Sequence, residues 1–144
     1  LELFAGYVKK IVDMAKANPK VWNDTVIMVT FDEGGGYYDS GYVQPIDFFG
    51  DGSRIPLLVI SRYSQGGRVV HTYYDHVSFD KFVEANWGLH EAISARSRDN
   101  LPNPIALRSD PYVPVNAPAI GNLMDMFDFD DGDSSEATVA AIKD

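Results

Sequence analysis

Apolar positions recur at spacings of three and four over residues 3–17, at Phe4, Tyr7, Val8, Ile11, Val12 and Ala15. Lys9, Lys10 and Asp13 fall on the other face, so the spacing predicts an amphipathic helix. Asn18 precedes Pro19 and is pushed out of the α region, which ends that helix. The period then changes. Thr25 to Phe31 is a short, nearly continuous apolar run rich in β-branched residues, and Ile55 to Ile60 is a second, set off by Pro56. Such runs predict strands covered on both faces, as in a parallel sheet flanked by helices. Further on, Phe79, Phe82, Val83 and Trp87 share one face of a predicted helix over 76–87. Asp75 or Ser78 can cap its start and Gly88 can end it.

Between the two apolar runs, residues 33–54 are rich in glycine, aspartate and aromatics (Tyr37, Tyr38, Tyr42, Phe48, Phe49). A loop longer than about 15 residues is usually functional or disordered, and this aromatic content argues against disorder. Residues 97–122 carry Pro102, Pro104, Pro111, Pro114 and Pro118 and read as an irregular wrapping segment. Residues 133–144 read as a polar tail with an Ala-rich, helical end. The order helix, buried strand, long loop, buried strand, helix predicts the α/β class.

Charge and composition narrow the function. The 144 residues suffice for one domain with a core. The formal net charge is −9, which argues against nucleic acid as the main partner and against adhesion to anionic membranes. No apolar run approaches the roughly 18 residues of a membrane span. The absence of cysteine excludes disulfides and thiolate metal sites. The chain begins at Leu1 without an initiator methionine or a visible signal peptide. The expectation is therefore a piece of a longer protein, with any targeting segment upstream.

The candidate chemistry lies in residues 30–39, TFDEGGGYYD. Asp32 and Glu33 end the first predicted strand, and in open α/β sheets ligands bind beyond the carboxyl ends of strands. Adjacent carboxylates repel, and a hard divalent cation compensates them well. Gly34, Gly35 and Gly36 would let backbone N–H groups approach a metal-bound anion. The alternative is a solvated acidic turn whose glycines serve tight geometry. The glycines form neither a P-loop, which needs Gly-Lys-Ser/Thr, nor a dinucleotide fingerprint, which needs a following helix.

His76 stands at the start of the second predicted helix, beside Asp75. It can be a metal ligand, a phosphate contact or a proton donor, or it can make a structural hydrogen bond while Asp75 caps the helix. His71 and His90 carry no assigned role. Asp128, Asp130, Asp131 and Asp133 resemble a calcium loop only superficially: the glycine falls one place early and no Glu closes the pattern. Asn23-Asp24-Thr25 is a glycosylation sequon, relevant only to a eukaryotic secreted protein. No G-x-S-x-G elbow occurs.

Three blocks, W-x-x-T-V-I-M-V-T-F-D-E-G-G-G-Y-Y-D, then G-D-G-x-R-I-P-L-L-V-I-S, then G-G-R-V-V-H-x-x-Y-D-H-V-S-F-D-K-F-V-E-x-N-W-G-L, stand in order over Trp22–Leu89. Together with N-L-M-D-M-F-D-F at 122–129, they closely resemble the C-terminal half of the bacterial phosphoesterase family. That family holds phosphatidylcholine-type phospholipases C and acid phosphatases of the alkaline-phosphatase superfamily. The resemblance implies a mostly parallel sheet between helix layers, with residues 1–132 as the C-terminal part of a single domain. It implies hydrolysis of a phosphate ester or phospholipid, in a secreted or periplasmic protein. Asp32 and Glu33 would ligate one divalent metal ion, and Gly34, Gly35 and His76 would meet the substrate. The hydroxyl nucleophile and the other metal ligands would come from the N-terminal half, outside this chain. A sulfatase-like or phosphotransfer enzyme of the same superfamily, or a non-catalytic domain that keeps the fold, is the alternative.

The sequence departs from the family pattern in two places. Asp39 is followed by Ser40 where many members have histidine. Arg62 and Tyr63 stand where many have Pro-Tyr, and Arg62 is either a phosphate contact or a surface charge.

Overall fold

A computed structural model describes residues 2–41, 48, 50–64, 67–89, 93–105 and 118–129. Tyr42, Phe49, His90, the acidic residues from Asp130 onward and the predicted tail over 133–144 lie outside the described residues.

Helix α1 spans Glu2–Lys16, as its apolar spacing predicts. No residue of it is buried, and Leu3, Tyr7 and Met14 on its apolar side are more than half exposed. Asn18 does stop α1, but it also starts something. At φ −119° and ψ 100° it is extended, and its side chain accepts a hydrogen bond from the Lys20 amide. It thereby caps a short helix, α2, over Pro19–Trp22, with proline in the first turn, where its missing N–H costs nothing.

Strands β1 (Ile27–Thr30) and β2 (Leu57–Ile60) form a two-stranded sheet. They pair antiparallel, from Ile27 opposite Ile60 to Thr30 opposite Leu57. The parallel arrangement expected from the apolar runs is not what joins these two strands. A parallel neighbour needs a crossover, usually a helix. The connection over 31–56 contains no helix among its described residues, so the chain turns back beside β1. Neither strand is covered on both faces within this chain: all of β1 is half-buried, and Leu58 is 55% exposed. The class is α/β, and the described residues contain no parallel pair.

Helix α3 spans Val77–Trp87 and ends at Gly88, whose φ of 63° is the left-handed conformation that favours glycine. Its buried face is not the aromatic one. Ser78 and Lys81 are buried, whereas Val83 and Trp87 are exposed. Lys81 Nζ donates to the carbonyls of Leu101 and Ile120 at 2.5 Å each. These two backbone acceptors, brought in by the wrapping segment, pull the polar side of α3 inward.

The core comes from residues 119–127. Ile120 and Leu123 are fully buried and Ala119 and Phe127 nearly so. Leu123 holds φ at 65°, an uncommon value for a branched residue that its complete burial sustains. Backbone bonds tie this stretch to the rest: Ile120 N to Pro102 O at 3.0 Å, Gly121 N to Tyr73 O at 2.9 Å and Asp128 N to Tyr63 O at 2.7 Å. A bridge between Ser64 and Phe127 extends the seam. Gly121 sits so close to Tyr74 that a Cβ there would meet the ring at 2.5 Å. The Asp125 carboxylate accepts from both Thr72 and Tyr74 hydroxyls, and burial, with that carboxylate, pushes the Tyr74 phenol well above its usual pKa.

Candidate active site

Asp32 and Glu33 follow β1 after a single residue, Phe31, and both side chains are exposed. They mark a corner where the chain leaves the sheet. The glycines after them have distinct structural reasons. Gly35 and Gly36 take φ of 63° and 76°, and Tyr37 N returns a hydrogen bond to Gly34 O at 3.2 Å. Two consecutive positive φ values at the centre of a tight turn are the primed-turn geometry, which side chains resist. Gly34 is different: a Cβ there would fall 2.1 Å from Ser53 Oγ. Its missing side chain lets residues 53–56 pass beside the acidic corner.

His76 reaches the same corner from across the fold. It precedes α3 as the N-cap residue but makes no side-chain cap. Asp75 caps instead, accepting from Val77 N at 2.8 Å. This frees the imidazole, whose Nε2 donates to the Phe31 carbonyl at 3.0 Å while the ring stacks on Phe79. The residue before Asp32 is thus bound to His76. The structure brings Asp32, Glu33, Gly34, Gly35 and His76 into one neighbourhood. His71 is exposed before α3 and is not among the contacts of that corner.

Antiparallel pairing decides which arginine is near. The carboxyl end of β2 lies against the amino end of β1, so Arg62 sits at the far end of the sheet from Asp32. There it donates to Asn23 Oδ1 at 2.7 Å and lies over the Tyr63 ring. The cation at the acidic end is Arg54, just before β2. Its guanidinium and backbone N–H both bond Asp39, whose carboxylate also takes the Gly41 amide. These donors, the Arg54 side chain foremost, hold the Asp39 carboxyl well below the usual carboxylate range. Gly34, Tyr37, Tyr38, Asp39, Ser53 and Arg54 line an open cavity of about 390 Å³ beside the corner. Sequence reading missed Arg54 because nothing local marks it; Asp39, fifteen residues earlier, is its partner.

The donor chemistry of Asp32 and Glu33 suits a hard divalent cation, since both offer carboxylate oxygens at an exposed corner. Two carboxylates fall short of a full coordination sphere. Among the described residues no group of three or more His, Asp or Glu side chains is placed to hold a metal ion.

A different, largely apolar groove of about 440 Å³ lies at the other end of β1, lined by Thr25, Tyr63, Phe82, Trp87, Phe127 and Phe129 among others. It is remote from Asp32 and Glu33, and none of the residues of the acidic corner lines it.

Known proteins resemble this chain in sequence. Hemolytic phospholipase C of Pseudomonas aeruginosa is 33% identical over 107 residues, covering 59% of this chain and 15% of that protein. Phospholipase C B of Mycobacterium tuberculosis is 34% identical over 100 residues, 51% of this chain and 19% of its own length. Non-specific phospholipase C3 of Arabidopsis thaliana is 28% identical over 148 residues, 83% of this chain and 28% of its own. The chain thus spans less than a third of each of these relatives. No solved structure gives a significant match. The model of the phosphoesterase family matches residues 4–90, across α1, the acidic corner, both strands and α3, and the chain belongs to the phosphoesterase family.

Proposed function

We propose that this chain carries one side of the active site of a metal-dependent phosphate-ester hydrolase of the phospholipase C or acid phosphatase type. The observation that carries the reading is the exposed Asp32–Glu33 pair at the end of β1, with His76 bound to the residue before it. Membership of the phosphoesterase family and likeness to phospholipases C support it.

In this reading Asp32 and Glu33 are two ligands of one divalent metal ion. Gly34 and Gly35 line the phosphate side, and His76 faces the substrate from α3. A cation bound there supplies charge neutralisation for the phosphate and a lowered pKa for the attacking hydroxyl. That hydroxyl belongs to polypeptide outside this chain, the N-terminal half of the same domain. Residues 1–132 are its C-terminal part and 133–144 a polar tail. The pair β1–β2 is then an antiparallel portion of a larger, mostly parallel sheet between helix layers. Its half-buried strands and the exposed apolar side of α1 support that placement. The substrate is a phospholipid or a small phosphate ester, and the protein is secreted or periplasmic. No helix among the described residues is long and apolar enough to cross a membrane.

The test is p-nitrophenyl phosphate and phosphatidylcholine hydrolysis by the intact protein, with and without chelator, beside Asp32→Asn. Chelator-sensitive turnover that the variant lacks is the expected result. Equal turnover in both removes Asp32 from the site. Turnover in neither, with aryl sulfates also inert, favours a domain that keeps the fold without the activity.

A further inference from the structure

Asp32 and Glu33 are each flanked by a residue that another segment holds. Phe31 is held by His76 through its carbonyl. Gly34 is packed against Ser53: a Cβ on Gly34 would fall 2.1 Å from Ser53 Oγ. These two braces come from distant parts of the chain, and both lead back to one side chain.

Arg98 lies in the 3-10 turn Arg98–Asn100. Its Nη2 stands 2.8 Å from Asp75 Oδ2 and 3.3 Å from Asp51 Oδ1. Asp75 is the cap that fixes the first turn of α3, from which His76 projects. Asp51 stands two residues before Ser53 and also accepts from the Tyr73 hydroxyl. All three ion-pair members are well shielded, with side chains 28%, 16% and 9% exposed for Arg98, Asp51 and Asp75. Burial and the neighbouring Asp51 carboxylate push the Asp75 carboxyl up, and Arg98 opposes them. Two carboxylates this close repel unless a cation stands between them.

We propose that Arg98 is a positioning residue for the acidic corner, one guanidinium that fixes both braces of Asp32 and Glu33 by holding Asp51 and Asp75 together. Without it the two carboxylates separate or one takes up a proton. The Asp75 cap then loosens on one side and the Ser53 contact on the other. Outer contacts that orient metal ligands typically govern about 10- to 100-fold in metal affinity. The consequence for metal rests on the reading of Asp32 and Glu33 as ligands; the consequence for geometry does not.

The experiment compares the intact protein with Arg98→Met, Arg98→Lys, Asp51→Asn and Asp75→Asn. It reads Mn²⁺ affinity by electron paramagnetic resonance, and the Gly34 amide and His76 ring signals by nuclear magnetic resonance. Arg98→Met is expected to move both signals and weaken Mn²⁺ about tenfold. Arg98→Lys, which keeps the charge, restores most of both. Asp51→Asn is expected to move Gly34 alone and Asp75→Asn to move His76 alone, a split that general destabilisation does not produce. If Arg98→Met does not fold, the two aspartate variants decide. Signals at Gly34 and His76 that stay at their wild-type positions overturn the proposal, as does wild-type Mn²⁺ affinity in a folded Arg98→Met. Signals that move as stated in a protein that binds no Mn²⁺ uphold the positioning role and remove the metal reading instead.

Discussion

Nε2 of His76 donates to the carbonyl of Phe31 at 3.0 Å, joining the start of α3 to the end of β1 across 45 residues of sequence. The bond stands next to Asp32, so it sets where β1 stops being a strand. His76→Phe keeps an aromatic ring to stack on Phe79 and removes the donor. We expect it to lower kcat on p-nitrophenyl phosphate at least tenfold while costing only about 1 kcal/mol of stability. His76→Gln, which retains an N–H, should recover part of kcat. A fall in Tm that tracks the fall in kcat across both variants would mean that the bond matters for stability alone.

Asp39 predicts a pH effect. Its folded-state pKa is depressed, foremost by the Arg54 side chain, relative to an ordinary value of 3.8. The stabilisation this brings is present above about pH 4 and is lost as pH falls toward the folded value. Asp39→Asn takes up no proton there. Its Tm should lie below wild type at pH 7 and fall less steeply between about pH 5 and pH 2.5. Parallel acid limbs in thermal melts of the two proteins would refute the linkage.

Gly34 and Ser53 should be coupled. Gly34→Ala places a methyl group 2.1 Å from Ser53 Oγ and should cost about 1–3 kcal/mol. Adding Ser53→Ala removes that oxygen and should return at least half of the loss. The double-mutant cycle in urea measures it, and strict additivity would show that the loop relaxes without cost.

Lys81→Met keeps the length of the side chain and removes the donor to Leu101 O and Ile120 O. A buried acceptor and a part-buried one then lose a partner, at about 1–3 kcal/mol for the buried one when unsatisfied. The urea midpoint should drop with the slope unchanged. A neutral result would mean that the seam between α3 and the wrapping segment holds without its cation.

What the sequence made legible follows the range of the interactions. Helices α1 and α3, the stop at Asn18 and the left-handed Gly88 depend on residues three or four apart, and pattern reading found them. Asp32, Glu33 and Gly34 are contiguous, so the acidic turn they form after β1 was equally plain. Helix α2 was missed because Asn18-Pro19 reads as a breaker, although the same pair is a good helix start. The antiparallel pairing of β1 with β2 was not legible, because apolar runs carry no sign of whether the connection crosses over or turns back. The buried side of α3 was misread because Lys81 looks solvent-facing until the Leu101 and Ile120 carbonyls are beside it. Arg54 and Arg98 were invisible for the same reason: their partners are fifteen or more residues away. Reading 97–122 as a segment that merely wraps the fold also hid that Ile120 belongs to the core.

That placement of the core has a consequence for how the molecule is made. Helix α1, both strands and α3 leave the ribosome with their apolar sides uncovered. Ile120, Leu123 and Phe127 emerge near the end of the described residues, yet they are the ones that close the interior. Until they arrive, the nascent polypeptide has secondary structure without a centre and an aromatic flank open to other chains. Synthesis that stalls before residue 120 should therefore yield a species for chaperones and proteases.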